Sequence, residues 1–222
     1  PTITFSNNSG FGDNIAVDGE GGSTAITDIN IQIFPINSSG SLLLARPLEY
    51  HSSADPGWGG YPPIITYGET DPHYGWSIKS DDGTNFKMIS LDFMDWGDWG
   101  GYTAYAEAFD NGSSLGRVSF ATNTSMSFVN LANPGTLTSI FDNVDEVRVY
   151  VEGDLWTALN NIRVTSAPAP EINVQGNSVS IADGDVTPSL TDHTDFGSQS
   201  VCSGTVVRTY TIQNTGTATL TI

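Results

Sequence analysis

Apolar and polar residues alternate over short stretches of this chain, with turn-forming residues between them. Ile29-Asn-Ile-Gln-Ile33 and Val147-Arg-Val-Tyr-Val151 alternate strictly, which is the period of a strand with one buried face. Thr2–Ser6, Leu42–Arg46, Phe86–Phe93, Thr103–Phe109, Leu115–Ala121, Ser125–Leu131 and Leu159–Val164 read as further strands. Asn37-Ser-Ser-Gly40, Asp81-Asp-Gly83 and Asn133-Pro-Gly135 punctuate them, and Asp110-Asn-Gly-Ser113 is a hairpin signal. In Phe86–Phe93 the apolar parity switches between Met88 and Ile89, which predicts either a bulge or a strand buried on both faces. Thr136–Asn143 predicts one helical turn, and no long helical period occurs. The fold class is therefore all-β, and about nine antiparallel strands in the first three quarters of the chain predict a jelly-roll β-sandwich.

Two stretches break the rhythm of strand and turn. Tyr50–Trp76 is dense in Gly, Pro and aromatics and predicts a long irregular loop, which a compact domain rarely keeps without a use. Asp92–Tyr102 sets Trp96 and Trp99 among glycines and three Asp. Neutral sugars present apolar C–H faces and a fringe of hydroxyls, so a binder needs flat aromatic rings beside oxygen acceptors. Trp96, Trp99 and Tyr102 with Asp95 and Asp98 supply that set, as do Trp58, Tyr61, Tyr74 and Trp76. The alternative for these rings is a satellite core beneath the loop. Trp156, just before the last strand of the region, reads as core.

Charge narrows the partners. The 222 residues carry a formal net charge of −18, from 7 Lys+Arg against 25 Asp+Glu. The basic residues are scattered singly, with no stripe to neutralise phosphates, so nucleic acid is excluded as a partner. Anionic surfaces and polyanions are repelled at long range, and neutral glycans or cations remain. No apolar run is long enough for membrane insertion. Cys202 is the only cysteine, which excludes an internal disulfide and a multi-cysteine zinc site. With 48 Ser+Thr and 24 Gly, the composition is that of an exported, turn-rich β protein. Among the histidines, His51 and His73 lie in the aromatic loop, where a Tyr–His pair could do the acid–base work of a polysaccharide lyase. No Gly-x-Ser-x-Gly elbow accompanies them. Asp18 and Glu20, in the acidic turn Val17-Asp-Gly-Glu-Gly-Gly22, offer hard oxygen ligands that a jelly roll can bring near Asn161 of the closing strand. One structural Ca2+ is expected there.

Ser166-Ala-Pro-Ala-Pro170 predicts a stiff linker between a domain at 1–165 and a second at 171–222. Phe86-Lys-Met-Ile-Ser-Leu-Asp-Phe93, Ala104-Tyr-Ala-Glu-Ala-Phe-Asp-Asn-Gly112, Val144-Asp-Glu-Val-Arg-Val149 and Trp156-Thr-Ala-Leu-Asn-Asn-Ile-Arg-Val164 resemble the lectin-like, galactose-binding-like jelly rolls of bacterial carbohydrate-binding modules and surface proteins. The closing strand of that pattern reads Leu-Asp-Asn-Ile, and Asn160 stands here in place of the Asp. The resemblance implies a structural calcium near the last strand, which the Asn weakens. Glu171-Ile-Asn-Val-Gln-Gly176, Ile181-Ala-Asp-Gly-Asp185, Asp192-His-Thr-Asp-Phe-Gly197 and Tyr210-Thr-Ile-Gln-Asn-Thr-Gly216 resemble the opening half of a choice-of-anchor D domain. That likeness implies a truncated immunoglobulin-like β-sandwich within a longer, secreted or cell-surface bacterial protein. Val206–Gln213 and Thr217–Ile222 are expected to pair as a hairpin, and strand exchange with another copy through 171–222 is the expected way to cover it. The functional expectation is a non-catalytic module that binds a neutral polysaccharide through its aromatic loops. An adhesin or structural domain without sugar affinity is the second reading, and a polysaccharide lyase or hydrolase the third.

Overall fold

The computed structural model describes residues 1–44, 47–52, 64–67, 73–95, 102–122, 125–132, 140–202 and 204–222, with 64–67, 154 and 155 as backbone only. It divides into two compact units, Pro1–Ala167 and Pro168–Ile222. Unit 1 runs through β1 (Thr2–Ile3), β2 (Ala16–Val17), β3 (Ile31–Ile36), β4 (Leu48–His51), β5 (Ile64–Tyr67) and β6 (His73–Ser80). It continues through β7 (Phe86–Asp95), β8 (Thr103–Asp110), β9 (Ser113–Ala121), β10 (Ser127–Asn130), β11 (Glu146–Leu155) and β12 (Thr157–Ser166).

These strands build a jelly-roll sandwich of two six-stranded sheets. Sheet I has the order β10-β7-β12-β5-β4, with β1 also paired to β12, and sheet II the order β2-β3-β6-β11-β8-β9. From β6 onward the chain crosses repeatedly between them: β6 lies in II, β7 in I, β8 and β9 in II, β10 in I, β11 in II and β12 in I. Every pair is antiparallel. The β8–β9 turn takes the two-residue form that its sequence predicts, with positive φ at both Asn111 (49°) and Gly112 (74°). One core fills the space between the sheets. Ile31, Ile33, Trp76, Ile78, Ala104, Ala106, Ala108, Val147 and Val149 face inward from sheet II, and Phe86, Met88, Leu91, Phe93, Leu159, Ile162 and Val164 from sheet I.

The parity switch in β7 is a bulge, and it has a counterpart. Asp92 pairs with Asn160, Ser90 with Arg163 and Met88 with Val164. Between the first two pairs β12 holds an extra residue, at Asn161; between the last two β7 holds one, at Ile89. Asn161 absorbs its bulge with a left-handed φ of 48°. Both strands therefore change parity at nearly the same level. Met88 and Leu91 both face the core on β7, as do Leu159 and Ile162 on β12.

Other expectations need correction. Tyr50–Trp76 is not one irregular loop, since β4, β5 and β6 lie in or at the ends of it. Leu42–Arg46 is not a strand over its described part: Leu42 makes a single bridge with Ile36, and Arg46 lies outside the described residues. In unit 2, β13 (Ile172–Gly176) is flanked by β14 (Val179–Ile181) and β15 (Tyr210–Asn214). The hairpin between 206–213 and 217–222 does not form. β15 pairs with β13, and Thr217 and Ala218 donate their N–H groups to the Ala169 carbonyl instead. The stretch read as a linker is thus shared out, with Ser166 closing β12 and Ala169 bonded within unit 2.

The Asn161 bulge yields a stability test. Asn161→Val forces a β-branched residue into a left-handed conformation and is expected to cost about 1–3 kcal/mol, whereas Asn161→Gly keeps the backbone free and costs clearly less. Denaturant unfolding of the two variants measures the difference.

Candidate functional site

One end of the sandwich gathers most of the described sequence-predicted residues. His73 is opposite Leu155, Ala104 opposite Val151, and Asp95 opposite Thr157. β6, β8 and β12 therefore begin at the end where β7 and β11 finish. Tyr74, Trp76, Asp95 and Tyr102 all come to this end. Trp96, Asp98 and Trp99 lie between Asp95 and Tyr102 in the chain but outside the described residues, as do Trp58 and Tyr61. His51 and Ile64, which flank Trp58 and Tyr61, pair with each other at the opposite end of the β4–β5 hairpin from the Leu48–Tyr67 pair. The two aromatic stretches thus start from different places on sheet I.

Two predicted contact residues are interior. Trp76 is fully buried, because it shares the inward face of β6 with Ile78. Its Nε1–H donates to Thr157 Oγ1 at 3.0 Å, and the His73 ring meets it edge-on at 5.2 Å. Thr157 Oγ1 also lies 2.8 Å from His73 Nε2. Asp95 is fully buried as well, following Leu91 and Phe93 on the inward side of β7. Trp76 is a core residue that ties β6 to β12, and its ring offers no face to a ligand. Tyr102, in contrast, is 43% exposed.

The outer face of sheet II at this end carries a strip that the sequence did not single out. Tyr74 on β6 stacks on Tyr150 of β11 at 4.9 Å and 17°, and Tyr150 stacks on Tyr105 of β8 at 5.6 Å and 30°. The Arg117 guanidinium of β9 lies 4.0 Å over the Tyr105 ring. Arg117 Nη1 donates to the Tyr150 hydroxyl (3.0 Å) and to Glu152 (2.8 Å), and that hydroxyl donates to Glu107 (2.8 Å). Ser114 holds the other Glu107 oxygen at 2.6 Å. Burial pushes the Tyr150 hydroxyl up to about 12, with Glu107 adding to the rise and Arg117 opposing it, so the phenol stays protonated. Bonds to Tyr150 and Glu152 hold Arg117 above its ordinary range. Gly75 is what lets Tyr150 lie across β6, since a Cβ there would sit 2.5 Å from the Tyr150 Cβ.

The residues proposed for calcium have other partners. The Asp18 carboxylate accepts the N–H groups of Ile26 (2.6 Å) and Ile31 (2.7 Å), and Glu20 accepts that of Val17 (3.0 Å). Asn161 donates to Asp92 (2.6 Å) and accepts from Thr4 (2.9 Å). Among the described residues no three His, Cys, Asp or Glu side chains converge as metal ligands would. Asn160 shows what its amide does in place of a carboxylate. Its oxygen accepts the Phe5 N–H (2.9 Å) while its NH2 donates to the Phe5 carbonyl (3.2 Å). A carboxylate there would set oxygen against oxygen.

A groove of about 340 Å³ opens between the edge strands β9 and β10, lined by Val118, Phe120, Phe128 and Val129 among others. Val118 and Phe120 are half-buried against the core, on the opposite face of β9 from Arg117. Of the acid–base candidates, His73 is 1% exposed, and His51 lies 3.2 Å from Glu49.

No family model and no curated protein sequence matches the chain. A similar solved structure is a family 11 carbohydrate-binding module from Clostridium thermocellum, in complex with a β-1,3-1,4-mixed-linked tetrasaccharide. It is 15% identical, with a TM-score of 0.33, over 75% of this chain and 96% of that one. Among the described residues no helix is long and apolar enough to cross a membrane.

Two variants check these assignments. Trp76→Ala is expected to lower stability by about 3–5 kcal/mol, the cost of emptying a core tryptophan site, with little change in denaturant m-value. Asn160→Asp loses the donation to the Phe5 carbonyl, at a cost of about 1–3 kcal/mol when ionised. Burial against that carbonyl raises the folded-state pKa of the new carboxyl. The destabilisation should therefore grow as pH rises through that value and shrink in acid, where the protonated group donates again. Melting curves of variant and parent across the acid range read the sign.

Proposed function

We propose that unit 1 is a non-catalytic module that binds a neutral glycan at the end of the sandwich where β6 and β8 begin. The observation that carries the reading is the strip formed by Tyr74, Tyr150, Tyr105 and Arg117 across four adjacent strands. At the usual strand spacing it is about 14 Å long, which suits an extended chain of sugar units. Its half-buried members, Tyr74 and Tyr105, offer ring edges and phenol oxygens. Glu107, Arg117 and Glu152 offer planar polar groups that match adjacent hydroxyls. All of them are already held by hydrogen bonds, so little side-chain freedom is lost on binding. Tyr102, exposed at the same end, joins the proposal, with Trp96 and Trp99 assigned as the flat rings that stack on sugar. Asp98 belongs to the same proposal, and Trp58 and Tyr61 are proposed as contacts carried by the separate stretch between β4 and β5.

A net charge of −18 favours a neutral ligand. Secretion or display at a bacterial cell surface goes with this role and is part of the proposal. So is a structural calcium at Asp18, Glu20 and Asn161, which would show as a rise in melting temperature when calcium is restored after chelation.

The test is affinity electrophoresis of the full chain in gels containing mixed-linked β-glucan, xylan, mannan or starch. Retardation by at least one is expected, with little dependence on salt because no ion pair forms. Tyr74→Ala with Tyr105→Ala should weaken it at least tenfold while the variant still unfolds cooperatively, at a melting temperature lowered by the two stacks lost from Tyr150. Retardation by none of the four sinks the proposal, and an unchanged double variant moves the site away from the strip.

A further inference from the structure

The end of the sandwich where β6 begins has a polar interior that the glycan reading does not use. His73 on β6 and Thr157 on β12 belong to opposite sheets, and they are 1% and 0% exposed. The Trp76 Nε1–H donates to Thr157 Oγ1 at 3.0 Å, so that oxygen already has a donor. Among the described residues the hydroxyl proton has one acceptor in reach, His73 Nε2 at 2.8 Å. Thr157 therefore donates to Nε2, and Nε2 carries no proton. The imidazole is held neutral, with its single N–H at Nδ1. Trp76, edge-on to the same ring at 5.2 Å, completes a closed set of three side chains that ties β6 to β12 across the sandwich.

We propose that His73 is a proton-operated latch at this end of unit 1, closed while its ring is neutral and released when the ring is protonated. An imidazolium carries an N–H at both nitrogens. Thr157 Oγ1 would then face two donors, Trp76 Nε1–H and His73 Nε2–H, and its own buried proton would lose its acceptor. Both that orphaned donor and a charge withdrawn from water oppose the closed arrangement. The titratable described side chains on the strands around His73 are Asp95 on β7, paired with Thr157 and fully buried, and Tyr74, Tyr150 and Glu152 on β6 and β11. An ionised Asp95 works against the latch, because it favours the imidazolium. Folding takes up the neutral form, so the sign is fixed. Stability is full above the ordinary histidine value of about 6.5 and is lost as pH falls through it. Tyr74, the β6 member of the tyrosine strip, follows His73 directly in the chain. Release of the latch therefore disturbs the strip, and acid weakens glycan binding. That last step rests on the glycan reading, and the latch itself does not.

Three measurements on the full chain test it, each made one pH unit above and one below that histidine value. Proton–nitrogen spectra of the imidazoles need no change at His73, since His51→Gln and His193→Gln identify the other two rings. On the alkaline side His73 is expected neutral, with its proton at Nδ1. Denaturant unfolding is then compared with His73→Gln, which keeps an acceptor for Thr157 and has nothing to titrate. Between the two pH values the unfolding constant of the parent should rise about tenfold more than that of the variant, a comparison in which His51 and His193 cancel. Affinity electrophoresis in a retarding glycan should show weaker retardation of the parent on the acid side, and less change for His73→Gln. A proton at Nε2 or an imidazolium on the alkaline side, or unfolding with the same pH effect in parent and variant, overturns the latch. A latch confirmed by spectra and unfolding, with retardation indifferent to pH, overturns its control of the site. Retardation by no glycan at either pH overturns the glycan reading instead, and the first two measurements still decide the latch.

Discussion

The arrangement of unit 1 depends on two bulges that cancel. β7 and β12 lie side by side in sheet I and bear the inner face of that sheet. A single extra residue in one strand would send every side chain beyond it to the wrong face. Here Ile89 and Asn161 are both extra, so the two strands change parity together and return to register. The cost of the change is local. Asn161 takes a left-handed backbone and bonds Asp92 and Thr4, and Asn160 turns its amide to the start of the chain at Phe5. Past the bulge, β12 can place Thr157 inward opposite Asp95, in reach of Trp76 and His73. The polar floor at the loop end therefore follows from a register event several residues away.

That event was half legible. The switch at Met88–Ile89 stands in the sequence, and Leu159 against Ile162 and Val164 carries its counterpart. Nothing local says that the two strands are neighbours. Strands with clean alternation, such as Val147–Val151, were readable because each buries one face. β4, β5 and β6 were hidden by Gly, Pro and aromatics, which weigh toward loop in any local reading. Trp76 was assigned to a surface for the same reason, although its parity with Ile78 pointed inward. The tyrosine strip was out of reach. Tyr74, Tyr105, Arg117 and Tyr150 come from four strands, and only the pairing register makes them neighbours.

The two units show how little alternation says about burial. Ile172, Val174 and Gly176 alternate with polar residues as regularly as the strands of unit 1 do. In unit 1 an opposing sheet takes Val147 and Val149 to zero exposure, while in unit 2 Ile172 and Ile212 stay more than two-fifths exposed. Hydrophobic burial scales with the area removed from water, so a strand pattern contributes stability only where a second layer exists. The period of two is a local property. Its energetic value is set by what lies across the face.

The outer face of sheet II obeys a different rule, since water lies across it. Tyr150 is 4% exposed although it points away from the core. Its cover is made of side chains alone: two tyrosine rings, a guanidinium and a carboxylate, each in contact with its phenol or ring. Stacking occupies both faces of the central ring, so Tyr150 cannot itself stack on a ligand. It sets the spacing and tilt of Tyr74 and Tyr105 instead, and Gly75 admits it to that place. Rings and planar polar groups held this way lose little entropy when a ligand arrives. A rigid polar-aromatic surface thus arises from the placement of one buried phenol, and that placement rests on the β6–β11–β8 register beneath it.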